Sequence, residues 1–196
     1  MKIGLFFGSF NPIHVGHLII AQHLVEHSDL NQVWMVVTPH NPHKKKSSLA
    51  KDYDRLHLVN IAIGDDPRIK SSDIEFSLPK PSYTVDTLTY LKEKYSNDEF
   101  VLIMGGDNLS TLNKWKNYEI ILENHEIYVY RRPSYDLGDL QFHPTVKIVD
   151  APLLEISSSF IRQQIKNKKS VRYLVTEPVY DYLDKTAMYE NFLSKQ

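Results

Sequence analysis

The chain has 196 residues, 42% of them hydrophobic and 24% charged, a balance that suits a soluble α/β domain with a sizeable core. Its 23 basic and 24 acidic side chains leave a net charge of -1, which argues against a polyanion such as DNA as partner and leaves room for a small phosphorylated ligand met by a few local cations. There is no cysteine, so disulfide and thiolate chemistry are excluded, and a reducing, cytoplasmic setting fits.

The segment Met1 to Gly8 carries one charged side chain and an apolar run too short for a signal peptide or a membrane span. Ile3 to Phe7 therefore reads as a buried strand. Leu18, Ala21 and Val25 share one face of a first helix, and Val33 to Val37 is a second strand. Leu56, Val59 and Ile63 mark a second helix. Val85, Leu88, Leu91 and Tyr95 mark a third, with Ser82 as its expected N-cap. Phe100 to Met104 is a strand, Tyr118 to Leu122 a helix, and Ile127 to Tyr130 and Val146 to Val149 are strands. A helix over Ser158 to Lys166 follows, and Pro178 opens a last one. Two stretches read as loops: Pro39 to Lys51, with the run Lys44-Lys45-Lys46, and Pro133 to Pro144. Neither repeats nor a linker interrupt the pattern. Alternating apolar strands and helices predict a single α/β domain over 1–196, with a Rossmann-like, doubly wound, mostly parallel sheet and helices on both faces. Such a sheet binds its ligands beyond the carboxyl ends of the strands, where strand order reverses.

The junction of the first strand and first helix is the segment Gly8-Ser9-Phe10-Asn11-Pro12-Ile13-His14-Val15-Gly16-His17. Gly8 and Gly16 permit close backbone approach by a ligand, and Pro12 fixes the turn. His14 and His17 share a face of the helix's first turn, beside its unpaired amides and the positive end of its dipole. Two imidazoles and free amides suit polyphosphate oxygens. Zinc finds no third ligand at a convincing spacing, so no protein metal ligand is expected.

These ten residues resemble the HxGH signature of the nucleotidyltransferase superfamily, in the form carried by the bacterial nicotinate-nucleotide adenylyltransferases. Asn11 stands where many members have Asp. The similarity runs nearly the length of the chain. Pro42-His43-Lys44 is similar to the loop whose basic residue meets the ATP phosphates, and Tyr83-Thr84-Val85-Asp86-Thr87 to the segment that receives the pyridine carboxylate. Gly105-Gly106-Asp107 resembles the Gly-x-Asp that approaches the ATP ribose. Trp115 matches the ring that stacks on the pyridine, and Arg132 the Arg before Pro near the mononucleotide. Ile156-Ser157-Ser158-Ser159-Phe160-Ile161-Arg162 matches the Ile-Ser-Ser-x-x-Ile-Arg pattern at a second helix start.

The resemblance implies adenylyl transfer from ATP to nicotinate mononucleotide. It assigns the charge work to His14, His17, Lys44, Ser158 and Arg162. It assigns ATP binding also to Gly8, Ser9, Phe10, Gly105, Asp107, Ile156 and Ser157. The mononucleotide falls to Ser9, Phe10, Tyr83, Thr84, Trp115 and Arg132. Mg²⁺ is expected on the triphosphate through its own oxygens. A sister enzyme using nicotinamide mononucleotide or another phosphorylated acceptor is the nearest alternative; a non-catalytic nucleotide-binding module and an RNA-binding protein are the more distant ones. Neither nucleic acid nor membrane is an expected partner, and a homo-oligomer is left open.

Overall fold

The computed structural model describes residues 1–39, 49–131, 135–152 and 154–190. Six strands lie in one sheet: β1 (Lys2–Gly8), β2 (Gln32–Val37), β3 (Ile69–Ser72), β4 (Glu99–Gly105), β5 (Ile127–Tyr130) and β6 (Val146–Val149). Their order is β3-β2-β1-β4-β5-β6, and each neighbouring pair is parallel. The chain winds outward from β1 in one direction, then returns to the centre and winds outward from β4 in the other. The reversal falls between β1 and β4, so a crevice opens beyond Gly8 and Gly105.

Among the described residues seven helices cover the two faces: α1 (Val15–His27), α2 (Asp52–Ile63), α3 (Thr84–Lys94), the single turn α4 (Gly106–Leu109), α5 (Tyr118–Asn124), α6 (Ser158–Lys166) and α7 (Glu177–Thr186). Successive strand residues point to opposite faces, so β1 sends Phe6 to one core and Ile3 and Leu5 to the other. Phe6 packs with Ala21 and Leu24 of α1, Leu58 and Val59 of α2, and Val179 and Leu183 of α7. Ile3 and Leu5 pack with Val85, Leu88 and Leu91 of α3 and Ile121 of α5. With a core on each side, the central strands have no polar face, which is why they read as unbroken apolar runs.

Three details depart from the sequence expectation. Strand β3 escaped it, because Ile69-Lys70-Ser71-Ser72 carries one apolar residue; its pairing with β2 and the burial of Ile69 alone suffice at a sheet edge. Helix α2 turns Arg55, Leu58 and Val59 fully inward and leaves Leu56 half-buried, so a charged residue leads its core face. At α3 the residue preceding the helix is Tyr83 rather than the expected Ser82.

Helix α3 is braced from behind. Thr87 donates its hydroxyl to Glu75 Oε1 at 2.8 Å, and both residues are buried. Burial pushes the Glu75 carboxyl above its ordinary value, and hydroxyl donation from Thr87 and Ser82 opposes the shift only in part. At the amino end of the sheet, Lys2 Nζ lies 2.8 Å from Asp29 and 2.5 Å from Glu126 and ties the start of β1 to the connections that lead into β2 and β5.

Two outcomes follow from this packing. A Cβ on Gly4 would stand 2.5 Å from Ile103 Cδ1 and 2.7 Å from Leu30 Cδ1. Gly4→Ala should therefore destabilise by about 1–3 kcal/mol in urea titrations, despite the better strand propensity of Ala, and Ile103→Val should recover part of the loss. Equal stability of Gly4→Ala and the parent would contradict this packing. The raised Glu75 carboxyl makes the folded state hold its proton more tightly than the unfolded chain does. Stability from this group is thus full below the unfolded value near 4.5 and is lost as pH rises through the folded one. Glu75→Gln keeps an acceptor for Thr87 and removes the titration. Its advantage over the parent should grow from pH 4 to pH 8, and a constant difference would refute the assignment.

Candidate active site

The turn between β1 and α1 is built by a ring turned inward. Phe10 adopts the left-handed backbone region (φ 41°) and is 1% exposed. Its ring lies where a Cβ on Gly8 would be, at 2.7–3.0 Å, so this glycine makes room for the ring. The same ring stands edge-on to His17 with centroids 5.0 Å apart and supports that imidazole from below. A part for Phe10 in holding a ligand therefore falls to its main chain.

The imidazoles of His14 and His17 stack, with centroids 3.6 Å apart and planes 27° apart. The His14 N–H donates to His17 Nδ1 at 3.2 Å. An Nδ1 that accepts leaves the proton of the neutral ring on Nε2, which makes Nε2 a donor. A Cβ on Gly16 would stand 3.1 Å from His14 Nδ1, so the second glycine of the motif holds the His14 ring in place.

The start of α6 arrives at the same turn from far along the chain. Ser157 caps the helix, its hydroxyl accepting from Phe160 N at 3.1 Å. Ser158 donates its hydroxyl to the carbonyl of Pro12 at 2.8 Å. Arg162 donates to the carbonyl of Asn11 at 2.6 Å and to Ser159 Oγ at 3.2 Å. Burial pushes the Arg162 guanidinium below its ordinary value, yet a guanidinium starts so high that it stays a cation. Ile156 reaches the same spot, its Cβ 4.0 Å from where a Gly16 Cβ would be. The two helix starts at opposite ends of the chain therefore share one cleft.

Across the crevice, β4 ends at Gly105, and Asp107 lies half-exposed in the single turn of α4. Trp115 follows a 3-10 turn over Leu112–Lys114 and is half-exposed, with part of its ring against the core. The next residue ties this turn to the start of α3: Lys116 Nζ lies 2.9 Å from Asp86 and 4.6 Å from the centre of the Tyr83 ring. Tyr83 is exposed, and Thr84 is the first residue of α3. An aromatic shelf and a helix N-terminus thus flank the same edge. Lys44 and Arg132 lie outside the described residues.

Sequence reasoning overlooked the groups that hold this turn from behind. Arg55 is fully buried, and its guanidinium donates to the carbonyls of Ser9 (2.5 Å), Thr38 (2.9 Å), Pro39 (3.3 Å) and Ala50 (3.0 Å) and to Asp52 Oδ1 (2.7 Å). Asn11 Oδ1 accepts from Ala50 N at 3.1 Å and from the Tyr189 hydroxyl at 2.9 Å. A signal for Arg55 existed: it shares a helix face with Leu58 and Val59, where a charge would be out of place without partners. Among the described residues, no cluster of three or more His, Asp or Glu is placed to hold a metal ion.

Comparison with known proteins agrees with this geometry. A family model described as cytidylyltransferase-like matches residues 5–164. A protein of Flavobacterium psychrophilum described as a probable nicotinate-nucleotide adenylyltransferase is 60% identical over 97% of this chain and 100% of its own length. Its counterpart in Flavobacterium johnsoniae is 59% identical over the same shares. Among solved structures, a Plasmodium falciparum nicotinic acid mononucleotide adenylyltransferase complexed with NaAD superposes with a TM-score of 0.83 at 22% identity, over 96% of this chain and 97% of that one, a likeness of fold. With its HxGH turn, its second helix start and its full-length relatives, the chain belongs to the nicotinate-nucleotide adenylyltransferase family of the cytidylyltransferase-like fold.

Proposed function

We propose that the cleft between β1 and β4 transfers the adenylyl group of ATP to nicotinate mononucleotide, giving nicotinate adenine dinucleotide and pyrophosphate as a step toward NAD. The observation that carries this reading is the meeting of the α1 and α6 starts at the turn over residues 9–12. A phosphate oxygen of the mononucleotide attacks the α-phosphorus in line, the bond to the bridging oxygen breaks, and that oxygen leaves on pyrophosphate. The nucleophile is already an anion, so neither a general base nor a covalent intermediate is needed. The protein's work is to position two anions and to stabilise charge on the leaving group.

His17 Nε2, the amides of α1 and α6 and the cationic Arg162 supply that stabilisation, with Lys44 assigned to the same work and His14 holding the pair in register. Gly105 and Asp107 face the adenosine, where a carboxylate accepts from ribose hydroxyls. Tyr83, Thr84 and Trp115 receive the acceptor: α3's first amides suit a carboxylate, and an indole face suits a pyridinium. Arg132 is assigned to the mononucleotide phosphate.

Imidazoles, a guanidinium and hydroxyls are partners for phosphate oxygens, not a cage for Mg²⁺, and so fit a cation that arrives on the triphosphate. Mg²⁺ there would neutralise phosphate charge. ATP and the mononucleotide are the small-molecule partners in this reading, without nucleic acid. Among the described residues no helix is long and apolar enough to cross a membrane, and the cysteine-free chain is assigned to the cytoplasm.

Coupled pyrophosphate release, measured with ATP against a panel of acceptors, tests the reading. Nicotinate mononucleotide should give the highest kcat/KM, and a preference for the amide would replace the acceptor named here. His17→Ala should lower kcat by about 100-fold or more with an unchanged thermal melt, since it deletes one donor to the developing charge. Turnover near the parent's in that variant would remove the assigned role.

A further inference from the structure

Asn11 occupies the centre of the phosphate-facing turn, and its two oxygens look in different directions. The main-chain oxygen receives Arg162 at 2.6 Å. The side-chain oxygen receives the Ala50 amide at 3.1 Å and the Tyr189 hydroxyl at 2.9 Å. Asn11 and Tyr189 are both buried, at 3% and 1% exposure. We propose that Tyr189, just beyond α7, is a positioning residue for adenylyl transfer: its hydroxyl holds the Asn11 side chain and thereby sets where Arg162 and Ser158 stand against the triphosphate. This rests on the reaction assigned above.

The physical case has three parts. First, a phenol in the core must be repaid for the water it gives up, and packing alone would be served better by Phe; the hydroxyl is kept for its bond. Second, that bond does not end in structure for its own sake. It ends on the one residue whose carbonyl anchors Arg162, and the next carbonyl, that of Pro12, anchors Ser158. A turn free to shift by a fraction of an ångström carries both phosphate-binding groups with it, and catalysis by positioning is sensitive on that scale. Third, burial raises the Tyr189 hydroxyl far above its ordinary value, so it stays a donor throughout the range in which such an enzyme works. The Asn for Asp exchange at position 11 is accommodated for the same reason: these contacts ask for an accepting oxygen, which an amide supplies as well as a carboxylate.

Tyr189→Phe removes the hydroxyl and keeps the ring. Direct titration with ATP should show affinity weakened about fivefold to tenfold, and kcat should fall about tenfold, while KM for the mononucleotide stays within twofold and the melting temperature within a few degrees. A purely structural role would lower the melting temperature and leave ATP affinity and the ratio of kcat to KM alone. Asn11→Ala gives a second line: because both variants cut the same contact, the double variant should lose no more ATP affinity than the worse single one. ATP affinity and kcat within twofold of the parent in Tyr189→Phe, or losses that multiply in the double variant, would overturn the proposal. A parent that binds ATP yet forms no dinucleotide would count against the assigned reaction, and the ATP titrations would still judge Tyr189.

Discussion

A triphosphate carries several negative charges, and a backbone turn that receives it cannot leave its own carbonyl oxygens facing them. At residues 9–12 this conflict is resolved by capture. The Ser9 carbonyl is taken by Arg55, the Asn11 carbonyl by Arg162 and the Pro12 carbonyl by Ser158. The donors come from two helices, Arg55 from α2 and Ser158 and Arg162 from α6, and two of the three are guanidinium cations. The capture removes negative potential from the rim of the cleft and adds positive potential behind it. It also orients the turn so that its helix-starting amides face outward. Everything else at the site, including the stacked imidazoles, depends on that turn keeping its shape.

The overall architecture was legible because a parallel sheet with a core on each side demands continuous apolar strands, and those stand out in a sequence. Ile3 to Phe7, Val33 to Val37 and Phe100 to Met104 are of this kind and lie in β1, β2 and β4. β3 was illegible for the same reason read backwards. An edge strand of four residues needs one buried side chain, Ile69, and its existence is set by hydrogen bonds to β2 that leave no mark on residue type. In α2, Leu56, Val59 and Ile63 marked the helix and do pack against the core, but a periodicity argument counts only apolar residues and so passed over Arg55 on the buried face.

At the candidate site, the motif residues marked where the chemistry is, but the motif alone misdescribed what some of them do. Gly8 and Gly16 read as openings for a ligand; the geometry gives their space to the rings of Phe10 and His14. Ser158 read as a hydroxyl facing phosphate; its proton goes to the Pro12 carbonyl, which leaves the amide at the start of α6 for a ligand. Asn11 stood inside the motif and Arg55 stood out on the buried face of α2, but their bonds to one another's neighbours and to Tyr189 join distant elements and left no mark in the local sequence. A sequence displays spacing along one helix well and displays contacts between the two ends of a chain poorly.

The contact between Asn11 and Tyr189 spans 178 residues. A contact of such wide separation closes a large loop, and it holds only once the elements between its ends are packed. During synthesis the amino-terminal half emerges with its signature motif intact, but the turn awaits α6 and the segment after α7 before its carbonyls are all captured. Arg162, Ser158 and Tyr189 all lie beyond β6, so all six strands precede in sequence the groups that complete the turn over residues 9–12.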